Sequence, residues 1–413
     1  MNIDSLIHTY KNGLLNDIMP FWLNHAPDRE FGGYITSLDR DGRILDTDKS
    51  VWMQGRFAWL LSTLYHHVEP RENWLEAAEL GVRFLRDHCF DSDGVMFFQV
   101  TREGKPLRKR RHRFSEVFAI IAYAAYAQAT GDARAAEDAA RIFKSVNQQV
   151  VNGLSPKVNS VTRPTRGFAW PMLMLNVCQI LREALHDESY TVQIDRHLEE
   201  IQRYFLNAEH RAVLEICGPN GELIDHFDGR TLNPGHAIEG AWFVLNEAKH
   251  RGNDPELIRL GTTMLDWMWA RGWDEEFGGI LYFRDIKGGP VQEYYHDMKF
   301  WWPQNEAIIA TLLAYQLTGD KKYADWFEKI HAWTFAHFPD PECGEWYGWL
   351  HRDGSISSTA KGNLWKGPFH VPRMYWKVWM ILEELKLEGK DHATTVADHS
   401  VFSDETILRY VEN

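Results

Sequence analysis

The chain has 413 residues, a formal net charge of −13, and 44% hydrophobic against 25% charged residues. This is apolar material enough for a large packed core, in a balance unlike that of a disordered chain, and the acidic excess argues against a nucleic-acid binder. No run approaches the ~18 apolar residues of a membrane span, and Cys89, Cys178, Cys217 and Cys343 form no CxxC pair, so neither a disulfide framework nor a cysteine zinc site is expected.

Taken in chain order, the opening MNIDSLIHTYKNGLLND places charges inside any apolar stretch, which is not a signal peptide; the chain reads as soluble and cytoplasmic. Apolar residues at 3–4 spacing predict helices over Ile3–His25, Trp52–His66, Trp74–His88, Ser115–Thr130, Ala133–Val150 and Phe168–His186. The same pattern continues over Val192–Ala208, Gly235–Arg251, Asp254–Arg271, Trp301–Thr318, Lys321–Phe338 and Val371–Leu387. Between them recur short alternating segments closed by turn residues: Phe31–Gly42 (FGGYITSLDRDG), Asp91–Gly104, Arg211–Glu222, Glu275–Gly288 and Cys343–Gly354. Their closing glycines, Gly42, Gly104, Gly221, Gly288 and Gly354, are spaced by about 62 residues or about twice that, so a degenerate unit is expected near Gly153–Pro164. A period of this length carrying two helices, repeated about six times, predicts about twelve helices. Six helical hairpins can close into a two-layered ring, an all-α (α/α)6 barrel with short β-hairpins at one end, and an open superhelix is the competing outcome. No linker or composition break divides the chain, so residues 1–413 read as one domain.

Four helix-start motifs carry the unusual residues. WMQGRFAW (Trp52–Trp59) puts Arg56 in an early turn of its helix, and LNPGHAIEGAWF (Leu232–Phe243) puts His236 in a first turn opened by Pro234 and Gly235. Glu239 lies three residues on, hence on the same helical face as His236. KFWWPQNEAIIA (Lys299–Ala310) carries Trp302 and Glu306 four apart, and LWKGPFHVPRMYW (Leu364–Trp376) carries Trp365 and His370 ahead of another helix. Glu239 and Glu306 are either buried partners that orient the imidazoles or exposed first-turn acids favoured by the helix dipole. Arg56 is either an oxyanion binder or a member of a core-edge ion pair. The 18 tryptophans suit the apolar faces of sugars as well as a large helical core, and Trp302 and Trp365 admit both readings. The basic run PLRKRRHRF (Pro106–Phe114) reads as a solvated loop near the barrel mouth.

Two histidines and an arginine, with no expected metal site and no nucleotide motif, suit proton abstraction next to a carbonyl. An imidazole titrates close to neutral pH and serves as base or acid, while a cation steadies the enediolate. Imidazoles on opposite faces of one carbon would give epimerisation. A glycoside hydrolase with paired carboxylates, or a non-catalytic carbohydrate-binding barrel, remains open on residue pattern alone.

The ordered set DTDKSVWMQGR, DGRTLNPGHAIEG, KFWWPQNEA and WKGPFHVPR resembles the N-acylglucosamine 2-epimerase family from Tyr10 to Arg373. The resemblance implies an (α/α)6 barrel, often a homodimer, that interconverts N-acetylglucosamine and N-acetylmannosamine. Relatives epimerise cellobiose or mannose, or isomerise aldoses to ketoses. It implies His236 and His370 as the acid–base pair, Arg56 and Glu306 in catalysis or substrate binding, Glu239 as the acid following the first histidine and Asn176 at the sugar. Trp302 and Trp365 are expected at the sugar from the residue pattern, which together with composition gives no metal, nucleic-acid or membrane partner. Some members are activated by ATP through a glycine- and lysine-rich loop. The corresponding stretch here, Asn152–Arg163 (NGLSPKVNSVTR), lacks a GK-type phosphate cradle, so no cofactor is expected to be required.

Overall fold

In the computed structural model, which describes residues 1–110, 112–149 and 162–400, the helices are α1 (Ile3–Gly13), α2 (Met19–His25), α3 (Val51–His67), α4 (Glu72–His88), α5 (Phe114–Thr130), α6 (Ala133–Gln149) and α7 (Ala169–Leu185). They continue as α8 (Thr191–Glu200), α9 (Phe227–Arg230), α10 (Pro234–His250), α11 (Pro255–Gly272), α12 (Trp301–Thr318), α13 (Lys321–His337) and α14 (His370–Ser400). Helices α3, α5, α7, α10, α12 and α14 follow one another around an inner ring, and α1, α4, α6, α8, α11 and α13 pack outside them. Aromatic contacts join the last inner helix to the first: the Trp59 ring lies 5.3 Å from Phe369 and 6.4 Å from Trp376. The chain is therefore the expected (α/α)6 barrel. The unit expected near Gly153–Pro164 falls largely outside the described residues.

The two layers differ as their surroundings demand. Inner helices meet neighbours on all sides, and every residue of α12 from Trp301 to Ala314 is buried. Outer helices bury one face; in α13 the buried residues are Tyr323, Phe327, Ile330 and Thr334. Inner helices α5 and α12 turn into their outer partners through identical Thr-Gly-Asp sequences. Gly131 and Gly319 take φ of 76° and 66°, a region that penalises any side chain. Asp132 and Asp320 then accept hydrogen bonds from the first amides of the next helix. The N-terminal segment departs from its expected single helix: a π-helical turn, Leu14–Ile18, separates α1 from α2. Pro20, at the start of α2, has no amide to donate, and the widened turn accommodates the missing bond.

Short antiparallel sheets decorate the end where the inner helices begin. Lys49–Ser50, directly before α3, pairs with Gln99–Val100, which pairs in turn with Pro106–Arg108. Lys299–Phe300, directly before α12, pairs likewise with Trp349–Leu350, and that strand with Ile356–Ser358. Each junction is locked by a buried lysine. Lys49 Nζ donates to Asp28 Oδ2 (2.9 Å) and to the carbonyls of Gly32 and Arg102 (both 2.7 Å). Lys299 repeats this with Asp274 Oδ2 (2.9 Å) and the carbonyls of Gly278 (2.6 Å) and Arg352 (3.1 Å). Lys361, Asp340 and Arg40 form a third such joint. Burial alone would raise the Asp28 carboxyl, but hydrogen bonds from Arg102 and Lys49 outweigh it and hold it at about 2. A glutamine in the helix above grips each hairpin: Gln54 bonds both the amide (2.7 Å) and the carbonyl (2.9 Å) of Tyr34, and Gln304 does the same for Ile280 at the same distances.

Removing one partner of such a joint strands a buried charge. Lys299→Met is expected to destabilise the protein by about 3–5 kcal/mol, measured by urea unfolding.

Candidate active site

The β-decorated end gathers the motif residues. In Asn-Pro-Gly-His each residue has a local task. The Asn233 side chain caps α10 by accepting from the His236 amide (3.2 Å), and Pro234 occupies the first turn where a missing donor costs nothing. A Cβ on Gly235 would lie 2.6 Å from the Trp302 ring, so only glycine lets that indole pack against the helix. His236 then stands with its ring 5.1 Å from Trp302, and His370, at the start of α14, lies 5.8 Å from the same indole. The two imidazoles thus share one tryptophan neighbour, although 134 residues separate them in the chain.

Behind His370 runs a chain of buried charge. Its Nδ1 lies 2.7 Å from Glu306 Oε1, which also accepts from Arg373 Nη2 at 2.7 Å. Arg373 reaches on to Glu239, and the Trp242 indole N–H donates to Glu306 Oε2 at 2.7 Å. Glu239 and Glu306 are 4% and 0% exposed, which rules out the exposed first-turn alternative for both acids. Burial pushes His370 well below the ordinary imidazole value; Arg373 pushes the same way, Glu239 opposes it, and Arg56 and His236 add to the lowering. His370 is therefore neutral, and with Nδ1–H donated to Glu306 its Nε2 carries the lone pair.

Arg56, on α3, stands across from this chain with its guanidinium over Phe118 (4.1 Å), Phe369 (4.6 Å) and Trp52 (5.4 Å). Burial lowers its pKa, with Glu239 acting against that and Arg373 with it; the group stays a cation. Among the described residues no carboxylate lies within ion-pair distance of Arg56, and its buried Nε has no hydrogen-bond partner in the protein. This excludes the expected alternative of a core-edge ion pair.

Other expected residues lie further out. Trp365 is 42% exposed at the rim, against Phe98 (5.4 Å) and Trp52 (5.6 Å). Asn176, on α7, has its side-chain amide 3.5 Å from Gln179 one turn along the same helix, and its described contacts do not reach the imidazoles. In the basic run, Lys109 pairs with Asp91 and Asp93, and Arg110 packs over Phe98 (4.3 Å) and Trp365 (5.3 Å), which places the run at the mouth.

Three groups went unread in the sequence. Arg373 and Trp242 stand inside quoted motifs, and Arg373 is three residues after His370, one helical turn away. Glu215 carries no local signal, yet its carboxylate oxygens lie 3.0 and 3.1 Å from His236 Nδ1. Glu239, expected on the His236 face, turns instead to Arg373.

Glu239, Glu306 and His370 bring three ligand-type atoms within 4.8 Å of one another. The Arg373 guanidinium bonds both carboxylates there, so a metal ion would have to displace it.

Residues 33–370 match the family model for N-acylglucosamine 2-epimerase (GlcNAc 2-epimerase). The chain belongs to the N-acylglucosamine 2-epimerase family. It is 36% identical over 377 residues to an N-acylglucosamine 2-epimerase of Bos taurus, with 87% of each chain covered. A cellobiose 2-epimerase of Bacteroides fragilis is 26% identical over 381 residues, covering 87% of this chain and 95% of that one. The solved structure of cellobiose 2-epimerase from Spirochaeta thermophila superposes with a TM-score of 0.79 at 21% identity, over 93% of this chain and 98% of that chain, a likeness of fold. Membership makes the chain an enzyme of the isomerase class. Among the described residues, no helix is long and apolar enough to cross a membrane.

Arg373 is the cation that allows two carboxylates to be buried side by side. Arg373→Met is expected to cost about 3–5 kcal/mol in urea unfolding, and Arg373→Met combined with Glu239→Gln to recover part of that loss.

Proposed function

We propose that this enzyme interconverts N-acetylglucosamine and N-acetylmannosamine by taking the C2 proton from one face of the opened sugar and returning one to the other. The observation that carries the reading is the pair of imidazoles sharing Trp302, one of them neutral with its Nε2 available. The closer match to an N-acylglucosamine 2-epimerase than to a cellobiose 2-epimerase, 36% against 26% identity, supports the N-acetyl substrates.

The steps follow from the charges. Once the ring is open, C1 is a carbonyl and the C2 proton is acidified. His370 Nε2 accepts that proton, the C–H electron pair becomes the C1–C2 double bond, and negative charge moves to the C1 oxygen. Arg56, a cation without a carboxylate partner among the described residues, suits that oxygen. Protonated His236 then gives its proton to C2 from the opposite face, and the two imidazoles have exchanged protonation states. The reverse reaction starts from the exchanged form. Glu306 keeps the His370 ring in one tautomer, and Trp302 offers an apolar face to the sugar carbons.

A second reading, epimerisation of a disaccharide such as cellobiose, is favoured by Trp365, whose half-exposed indole at the rim would suit a second sugar unit. A homodimeric working form rests on the family resemblance, and independence from a cofactor rests on the lack of a GK-type phosphate cradle in Asn152–Arg163. Within the ATP-loop stretch Asn152–Arg163, residues 152–161 lie outside the described residues.

Proton NMR in heavy water tests the reading, with N-acetylmannosamine, N-acetylglucosamine, cellobiose and mannose offered separately. Deuterium at C2 and a 2-epimer are expected with the N-acetyl sugars, and His370→Asn is expected to slow both by about 10²–10⁴-fold. Turnover of cellobiose alone would establish the second reading. A ketose product would make the enzyme an aldose–ketose isomerase.

A further inference from the structure

His370 and His236 are held in the same way by unrelated parts of the chain. Glu306 reaches His370 from the neighbouring inner helix. Glu215 reaches His236 from the residue just before strand Ile216–Cys217, on a segment that belongs to no helix. Its backbone is pinned on both sides: the Phe168 amide donates to the Glu215 carbonyl (2.9 Å) at the entrance of α7, and the Leu214 amide donates to Phe205 (2.8 Å). The strand that follows pairs with Arg166–Gly167. A carboxylate carried on so fixed a backbone is preorganised to hold an imidazole.

We propose that Glu215 is the positioning residue of His236, the counterpart of Glu306 for His370. Both Glu215 oxygens face Nδ1, at 3.0 and 3.1 Å. An ionised carboxylate only accepts, so Nδ1 carries a proton and Nε2 is the atom left to exchange a proton with substrate. The Asn233 amide nitrogen, 3.1 Å from the same Nδ1, only donates and so makes no hydrogen bond to a protonated Nδ1, while its oxygen accepts from the His236 backbone amide. Asn233 therefore fixes the helix start while Glu215 fixes the ring.

The two pairs differ in their surroundings, and so in what they contribute. The His370 and Glu306 side chains are 9% and 0% exposed, with Arg373 bonded to the carboxylate. The His236 and Glu215 side chains are 28% and 21% exposed. Among the described contacts of His236, Glu215 is the charged group against the ring, and the neutral His370 imidazole stands further off. The indole that α12 packs against it is neutral. A carboxylate opposite Nδ1 favours the imidazolium. This makes His236 the member of the pair that waits protonated while His370 waits neutral.

The inference rests on the two-histidine reading, so Glu215→Gln, Glu215→Asp and His236→Asn are measured together for kcat, KM, pH dependence and thermal midpoint. Glutamine can still accept from Nδ1–H but carries no charge. Glu215→Gln is expected to lower kcat about 10–100-fold, with KM and thermal midpoint little changed and with partial recovery in Glu215→Asp. The pH limb belonging to His236 is expected to move to lower pH, because the imidazolium has lost its counter-charge, while the limb belonging to His370 stays in place. Unchanged kcat in Glu215→Gln, or a loss that follows the thermal midpoint with no shift of either limb, would overturn the positioning role provided that His236→Asn is inactive. Activity retained in His236→Asn would overturn the two-histidine reading itself.

Discussion

Burying a guanidinium is costly unless negative charge lies beside it, and Arg373 is buried at the barrel end where the motif residues meet. It is matched by Glu239 from α10 and Glu306 from α12, so one cation ties together three of the inner helices. The rest of the site depends on that neutralisation. Glu306 Oε1 meets both Arg373 and His370 Nδ1, and its Oε2 takes the Trp242 indole N–H. Phe369 presents its ring to both Arg373 (4.5 Å) and Arg56 (4.6 Å), an apolar spacer between two like charges. Arg373 is committed to both carboxylates, whereas Arg56 has no carboxylate within ion-pair distance among the described residues and so suits a ligand oxygen.

The repeats explain how such a cluster is assembled from distant segments. KSVWMQGR and KFWWPQNE align position for position, and the shared residues are scaffolding. Lys49 and Lys299 lock the hairpins to the helix starts, and Gln54 and Gln304 grip the strands. Trp52 and Trp302 occupy equivalent sites on the inner wall. The last position differs: arginine at 56, glutamate at 306. One unit, repeated and rigidly held, delivers a cation from one side of the ring and a carboxylate from another.

Much of this was legible because it is periodic. The hairpin glycines gave the repeat length, the 3–4 apolar spacing gave the helices, and the four motifs carried the family. What stayed hidden is what closure of the ring brings together. Glu239 follows His236 by three residues, which suggests a partnership, but Arg373 from α14 attracts its carboxylate more strongly than a half-exposed imidazole does. Glu215 lies 21 residues before His236 inside the recurring hairpin segment Arg211–Glu222, whose pattern predicts a strand but marks no site residue, and strand pairing with the entrance of α7 carries it to the ring. The break between α1 and α2 was signalled by Pro20, but apolar periodicity runs through it and conceals the change of register.

The account turns on two imidazoles working on opposite faces of one carbon. The most direct test is a single turnover of N-acetylmannosamine carrying deuterium at C2, run in ordinary water, with the isotope at C2 of the product read by mass spectrometry and NMR. Two bases predict that the proton removed by one histidine is not the one delivered by the other, so the N-acetylglucosamine formed carries protium at C2. Substantial deuterium retained in that product would mean that one group serves both faces, and would contradict the account.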